Sequence, residues 1–184
     1  MDPKLMAVIG VAAIVILLIV WWAIRKQRTA KLRTRFGSEY DRVVREKGPQ
    51  RAESALLERE KRVQRFSLRP LTAEERERFV TEWRDVQSRF VDDPRGAVSE
   101  ADLLLDRLMQ ARGYPKSDFE QRAADVSVGH PRAVDSYRAA HEIALREHQG
   151  QASTEDLRNA VIYYRSLFDD LLETTSAKPK REVA

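Results

Sequence analysis

The chain has 184 residues, a formal net charge of +4 and no cysteine. The absence of cysteine excludes disulfides, thiolate catalysis and cysteine-based zinc sites. The charge is unevenly distributed, because residues 25–69 contain 15 Lys and Arg against 6 Asp and Glu, whereas residues 70–173 contain 14 against 21. We therefore expect a basic segment followed by one acidic domain of about a hundred residues.

Residues 5–24 form an apolar run without a charged side chain or a proline. A helix of this length extends about 30 Å, which is the thickness of the hydrocarbon core of a bilayer. A cleaved signal peptide fits less well, because its apolar centre is about 7–15 residues long and a small-residue cleavage site follows it. Trp21 and Trp22 are typical of side chains that anchor a helix at the membrane interface. The run predicts a transmembrane helix at residues 5–24, with residues 1–4 as an external tail.

Six cations follow the apolar run within residues 25–35, whereas a single lysine, Lys4, precedes it. The positive-inside rule therefore places the C-terminal side of the chain in the cytoplasm. Next to the anionic leaflet, each such cation contributes about 1 kcal/mol of attraction. We predict that these six side chains form a lipid-facing basic cluster: Arg25, Lys26, Arg28, Lys31, Arg33 and Arg35.

Residues 25–69 are predicted to form a basic juxtamembrane helical arm. The first helix continues to about Phe36, where Gly37 can adopt the left-handed conformation that ends a helix. The sequence S-x-x-D at residues 38–41 predicts a cap and a short second helix. Gly48 and Pro49 predict a break before the next helix.

The third arm helix is predicted over residues 50–66. Its apolar residues are spaced three and four apart only if Arg59 is counted among them. This pattern is weak for a coiled coil and favours a helix that lies against the bundle or along the membrane. The apolar members of the pattern are Ala52, Leu56, Val63 and Phe66.

Residues 70–173 show no sustained alternation of period two, so we predict an all-α fold. Helix starts are indicated by Thr72, Asp93, Ser117, His130 and Ser153, each at a capping residue or before a proline. Short connections between the helices predict a small antiparallel helical bundle. Residues 174–184 are polar and are expected to form a disordered tail.

The predicted inward faces of the bundle helices follow helical spacing. They are Phe79, Trp83, Val86 and Phe90 on the first helix; Ala97, Ala101, Leu104, Leu105 and Leu108 on the second; Val134, Tyr137, His141, Ala144, Leu145 and His148 on the fourth; and Leu157, Val161, Tyr164, Phe168 and Leu171 on the last.

The three histidines are the natural candidates for metal or ligand binding. A glutamate does not stand three residues before His130, His141 or His148, so the di-iron bundle motif is absent, and His141 lacks a second histidine four residues on. His141 and His148 share a face with Tyr137, which makes these three, with Tyr164 on the last helix, a candidate ligand site. Core packing is the favoured interpretation. We predict no metal and no cofactor.

Catalytic motifs are not found in the sequence. The seven glycines are scattered and form neither a phosphate-binding loop nor a G-x-S-x-G nucleophile elbow. The acidic pairs at residues 92–93 and 169–170 are better explained as helix caps and solvated termini than as an acid and base pair. The sequence therefore does not indicate an enzyme.

A protein interaction or scaffold function for the bundle is the main hypothesis. Tyr163 and Arg165 form the candidate partner surface, since tyrosine and arginine are enriched at interface hot spots. Two alternatives remain open: a small-molecule or metal site around Tyr137, His141 and Tyr164, and a nucleic-acid binder that uses residues 25–69. Lipid is favoured over nucleic acid because the arm adjoins the membrane and its aromatic residues are too widely spaced for base stacking.

Five short segments are distinctive: RFGSEYDR at 35–42, FVDDP at 90–94, RGYP at 112–115, VGHPR at 128–132 and STEDLR at 153–158. Together they resemble an uncharacterised group of short bacterial proteins that have one N-terminal hydrophobic segment and a helical soluble domain. The resemblance extends over most of the chain from residue 25. It implies a bacterial inner-membrane location and brings no activity, ligand or catalytic residue.

Overall fold

The computed structural model describes the backbone of residues 3–173 and the side chains of residues 16–173. This part of the chain is all-α, as predicted, and contains eight helices and no strand. The predicted disordered tail at 174–184 and the first two residues of the predicted external tail lie outside the described residues. The helices are α1 (Pro3–Phe36), α2 (Ser38–Lys47), α3 (Pro49–Val63), α4 (Ala73–Arg89), α5 (Pro94–Ala111), α6 (Phe119–Gly129), α7 (Ala133–His148) and α8 (Thr154–Glu173).

Several helix boundaries lie where their capping residues predicted them. Gly37 ends α1 with φ 54°, a left-handed conformation that glycine adopts at low cost. Thr72 and Glu75 form the reciprocal capping box of α4, and the Asp93 side chain accepts a hydrogen bond from the Gly96 N–H before α5. Ser153 accepts from the Asp156 N–H before α8 in the same way.

Three predicted helix starts are wrong in detail. The N-cap of α2 is Gly37, because Ser38 is already helical and its hydroxyl donates to Asp135 of α7 instead of capping. The N-cap of α6 is Asp118 rather than Ser117, since the Asp118 carboxylate accepts from the Gln121 N–H. The following helix begins at Ala133 rather than at His130, because the His130 N–H still donates to Val126 O and ends α6.

The main hydrophobic core lies between α4, α5, α6, α7 and α8. The Trp83 and Phe168 rings stack across it with their centroids 4.6 Å apart. All the predicted inward residues of α8 are buried, whereas Leu145 of α7 is exposed. The buried stripe of α7 continues from Tyr137 through Ala140 and Ile143. The prediction that Leu145 faces inward is therefore wrong.

A second core joins the basic arm to the bundle. It is built from α1, α2 and α3 together with Val128 of α6. Phe36, at the end of α1, is fully buried in it. The arm therefore packs against the bundle, which was one of the two placements left open by the sequence. The buried residues of this core are Leu32, Phe36, Tyr40, Val43, Ala52, Leu56, Val63 and Val128.

Arg59 lies in the apolar stripe of α3 because it contacts a buried carboxylate. Its Nη1 donates to Oε1 of Glu39 at 2.7 Å, and Glu39 is fully buried. Arg42 and Arg138 also donate to this carboxylate, at 3.2 Å and 3.3 Å. The break in hydrophobic periodicity therefore marks an ion-paired site between α2, α3 and α7.

The predicted transmembrane helix covers residues 5–24, and the side chains of residues 5–15 lie outside those that the structure describes. Among the described residues, no helix provides an apolar stretch long enough to cross a bilayer.

Candidate functional site

The described apolar side chains at the N-terminal end of α1 project away from the protein. No side chain between Ile16 and Ile24 belongs to either hydrophobic core, although these residues share one continuous helix with buried Phe36. The exposed fraction of each large side chain in this stretch lies between 46% and 68%. The members are Ile16, Leu17, Leu18, Ile19, Val20, Trp21, Trp22 and Ile24.

The two predicted interfacial anchors contact the first two cations of the basic cluster. The Arg25 guanidinium lies 5.3 Å from the centroid of the Trp21 ring, and Lys26 Nζ lies 5.0 Å from that of Trp22. At exposed sites such cation–π contacts contribute about 0.5–1 kcal/mol each. The indole rings and the cations therefore mark one level along α1 where apolar surface ends and charge begins.

The structure places the basic cluster on α1, with Arg25 half-buried and Lys26, Arg28, Lys31, Arg33 and Arg35 exposed. Arg33 pairs with Asp41 at 3.6 Å, and Arg35 pairs with Glu60 at 2.9 Å. Among the described residues, the other four cations have no carboxylate within ion-pairing distance. These four are available to an external anion.

The direction of α2 and α3 extends the cationic region beyond the predicted cluster. The chain reverses at Gly37, and the Arg33–Asp41 pair sets α2 antiparallel to α1. Thr29 donates to Glu53 while Arg35 contacts Glu60, so α3 runs parallel to α1. The turn between α2 and α3 therefore returns to about the level of Lys26. It brings the exposed cations Lys47 and Arg51 there, which sequence reasoning missed.

A groove of about 670 Å³ lies between α1 and α3 on this side of the protein. One of its walls is the cationic face of α1, and the other is the face of α3 between Gln50 and Glu60. We call it the α1–α3 groove. Its lining consists of Arg25, Arg28, Lys31, Leu32, Arg35, Gln50, Glu53, Ser54, Leu57 and Glu60.

The candidate ligand residues on α7 and α8 are brought together only in part. Tyr137 and Tyr164 are both fully buried, with ring centroids 6.0 Å apart. The His141 ring is stacked against Phe119 of α6 at 3.5 Å. His148 is exposed. The structure therefore joins His141 and both tyrosines in one aromatic cluster and leaves His148 outside it.

Burial controls the ionisation of this cluster. Burial raises the pKa of Tyr137 and Tyr164, and the negative charge of Asp102 raises both further. Burial also lowers the pKa of His141, although the charge of Asp102 opposes that change. At neutral pH the cluster therefore contains two protonated phenols and a neutral imidazole.

The polar atoms of this cluster are incompletely paired. Arg122 of α6 donates to Asp106 of α5 at 2.9 Å, beside the two tyrosines. Tyr164 interacts with Asp102 and Tyr137 with Arg122, yet five nearby polar atoms are buried without a well-formed hydrogen bond among the described residues: the hydroxyl oxygens of Tyr137 and Tyr164, Asp102 Oδ1, Arg122 Nε and His141 Nδ1. Helical spacing along α7 and α8 could not indicate Asp102 and Arg122, because these residues approach the tyrosines from α5 and α6. We call these residues the buried polar cluster.

The candidate partner surface lies on the solvent side of α8. Tyr163 and Arg165 are exposed and Tyr164 is buried, as the helical spacing predicted. Ile162 beside them is 55% exposed. Arg165 contacts Asp169 one turn later at 3.3 Å, and the Tyr163 and Ile162 side chains are accessible beside this pair.

His130 is a buried group that the sequence analysis considered as a helix start and as a metal ligand. Its Nδ1 lies 2.7 Å from Oδ2 of Asp170, at the edge of a shallow groove of about 530 Å³ that also contains Ser166. Burial lowers the pKa of His130, and the contact with Asp170 partly offsets this effect. In the described part of the chain, no group of three or more potential ligands converges to hold a metal ion.

No family model, curated protein or solved structure matches the chain. The resemblance to short bacterial membrane-anchored proteins stays a prediction. The arguments for function therefore rest on the geometry of α1, the basic cluster and the surfaces of the bundle.

Proposed function

We propose that this chain is a single-pass membrane protein whose helical bundle faces the cytoplasm and acts as a protein interaction module. One observation carries the proposal. The apolar end of α1 is exposed from Ile16 to Ile24, while the other end of the same helix is built into the second core through Leu32 and Phe36. The helix therefore connects an unburied apolar surface to a folded body without a flexible linker.

The exposed apolar stretch is costly in water and favourable in a bilayer. Transfer of each large apolar side chain from water into hydrocarbon contributes about 1.5–3 kcal/mol. Contiguous apolar surface of this kind marks a membrane or protein contact. The sequence continues the stretch to Leu5, which gives a helix of about 30 Å, the length that a bilayer requires.

Charge supports a cytoplasmic orientation of the bundle. The basic cluster follows the apolar stretch, and the turn between α2 and α3 adds Lys47 and Arg51 at the same level. Cations near an anionic leaflet favour the inner side. Residues 70–173 are acidic, so the leaflet repels them weakly over a Debye length of about 8–10 Å. The bundle is then held beside the membrane without lying on it.

Alkaline carbonate extraction of cell membranes tests the anchor. We expect the full chain to stay in the membrane pellet, and we expect the double variant Leu17→Arg with Leu18→Arg to be released. Arg84→Gln, on the exposed surface of α4, is the control and should stay in the pellet. Release of the unaltered chain, or a mature protein that begins after residue 24, would contradict the proposal.

The interaction module is supported by the exposed face of α8. Tyrosine, isoleucine and arginine side chains are adjacent there, and aromatic and arginine side chains dominate interface energetics. Photocrosslinking in intact cells tests this surface. A crosslinker that replaces Tyr163 should yield a discrete adduct that Arg165→Ala weakens. The same group in place of Gln87, an exposed residue of α4, should not yield that adduct. Identical adducts from both positions would rule out a specific surface on α8.

A small-molecule or metal site is the second candidate function, and the unpaired polar atoms of the buried polar cluster favour it. Buried polar groups without partners are costly, so a bound water or small polar ligand would stabilise the fold. Thermal melting of the full chain in detergent, with and without zinc or nickel, tests this candidate. A rise in melting temperature that His141→Phe abolishes and His148→Phe does not would support it. No rise with either metal would exclude these metals.

Nucleic acid is the weaker alternative for the basic arm. Arg42, Arg59 and Arg62 are ion-paired with Glu39 and Asp125, so these three arginines are less available to phosphates than unpaired cations are. A salt-sensitive mobility shift of labelled DNA or RNA by the full chain in detergent would support this alternative. Binding to anionic liposomes without such a shift would count against it.

A further inference from the structure

We propose that the α1–α3 groove binds the headgroup phosphate of one anionic phospholipid from the cytoplasmic leaflet. This inference rests on the proposed membrane anchor and adds to it a defined site with a stoichiometric ligand. A diffuse basic surface would attract the leaflet as a whole, whereas this groove selects one phosphate between two helices.

The charges of the groove favour an anion. Its lining contains four cations and two carboxylates. Glu60 is neutralised by Arg35 at 2.9 Å, and Glu53 accepts a hydrogen bond from Thr29. Arg25, Arg28 and Lys31 have no carboxylate partner among the described residues. Their spacing of three residues places them on one face of α1, where like charges repel each other until an anion binds.

The position of the groove matches the headgroup layer. Arg25 directly follows the apolar stretch, and Arg28 lies one helical turn beyond it, about 5–6 Å from Ile24 along the helix axis. The polar layer of one leaflet is about 5–8 Å thick. The Trp21 ring, which contacts Arg25, lies at the apolar edge of this layer. A phosphate in the layer is therefore within reach of both guanidinium groups.

The second wall of the groove contributes hydrogen-bond donors. Because α3 runs parallel to α1, its N-terminus faces the membrane side of the groove. The N-cap of α3 is Gly48, which provides no side-chain cap. The first N–H groups and the helix dipole therefore favour an anion there, and the Gln50 side chain lines the groove beside them, whereas the Ser54 hydroxyl donates to Gln50 O within α3. Guanidinium groups from one helix and polar donors from another suit the several oxygens of a phosphate.

The test compares two cations that lie two residues apart. Arg28 lines the groove, whereas Lys26 lies at the same level and contacts Trp22 outside it. The full chain is placed in bilayer discs of phosphatidylcholine with a rising fraction of phosphatidylglycerol, and bound lipid is counted by native mass spectrometry. We expect saturation at one retained phosphatidylglycerol. Arg28→Gln should weaken retention about fivefold, and Lys26→Gln should weaken it much less.

Each outcome distinguishes the site from the anchor. Equal weakening by both variants, or retention without saturation, would overturn the site and leave the membrane anchor intact. Failure of the unaltered chain to enter the discs would overturn the proposed function itself. We expect phosphatidylglycerol to raise the melting temperature of the full chain in discs. Inorganic phosphate, added to discs without phosphatidylglycerol, should not raise it. If inorganic phosphate raises the melting temperature as much as the lipid, the groove binds free phosphate and the lipid assignment is wrong.

Discussion

The fully buried carboxylate of Glu39 accepts a hydrogen bond at 2.7 Å from Arg59, twenty residues later in the chain. Arg138 of α7 donates to the same oxygen, and Arg42 donates to the other. Glu39 therefore links α2 to α3 and to the bundle. A carboxylate taken out of water in this way is stable only because three guanidinium groups surround it.

Replacement of Glu39 by glutamine should be strongly destabilising. Glu39→Gln removes the only negative charge bonded to Arg59 among the described residues, so this largely buried guanidinium loses its counter-ion, whereas Arg42 and Arg138 keep contacts with other glutamates. We expect the free energy of unfolding to fall by about 3–5 kcal/mol. Chemical denaturation in detergent measures it. Glu46→Gln, which removes an exposed partner of Arg42, is the control and should cost less than about 1 kcal/mol. Similar losses for both variants would show that burial of Glu39 is unimportant.

The two ends of α1 should respond differently to truncation of a side chain. Phe36→Ala creates a cavity in the second core and should cost about 3–5 kcal/mol of stability. Leu18→Ala changes an exposed side chain and should leave the unfolding of the bundle in detergent unchanged. Thermal melting of both variants provides the comparison. A stable Phe36→Ala protein would mean that α1 is not part of the folded body.

Acid should destabilise the protein through buried His130 and half-buried His141. Burial lowers the pKa of His141 below its ordinary value near 6.5, so the unfolded chain takes up this proton more readily than the folded one. The stability that the neutral ring provides is therefore complete above about pH 6.5 and is lost as the pH falls below that value. His130 acts in the same direction.

His141→Phe isolates this contribution to the pH dependence. The substitution keeps a flat ring against Phe119 and removes one titrating group. Between about pH 7 and about pH 5, the free energy of unfolding of the variant should fall less than that of the unaltered protein. Parallel pH profiles would show that His141 has its ordinary pKa in the folded state.

Local signals in the sequence were sufficient for most helix boundaries. Gly37, the Gly48–Pro49 break and the cap at Asp93 each determine backbone conformation through residues that are adjacent in the chain. The motif at Ser38 failed because a hydroxyl can cap its own helix or donate to a distant partner, and here Asp135 is the partner. Capping motifs therefore predict where a helix begins more reliably than they predict which hydrogen bond the capping side chain makes.

The sites that depend on pairing between distant residues could not be predicted. Arg59 breaks the apolar pattern of α3, but its partner Glu39 becomes evident only when α2 folds back. Asp102 and Arg122 approach Tyr137 from separate helices, so spacing along α7 could not reveal them. The groove between α1 and α3 likewise required the relative direction of two helices. The exposure of Tyr163 and Arg165, in contrast, followed from helical spacing alone.

Single-cysteine labelling tests the membrane anchor most directly, because the chain contains no cysteine of its own. Lys4→Cys and Lys47→Cys are each exposed to a membrane-impermeant maleimide in intact spheroplasts and after lysis. The proposed topology predicts that position 4 is labelled in intact spheroplasts and position 47 only after lysis. Labelling of position 47 in intact spheroplasts would contradict the cytoplasmic placement of the bundle.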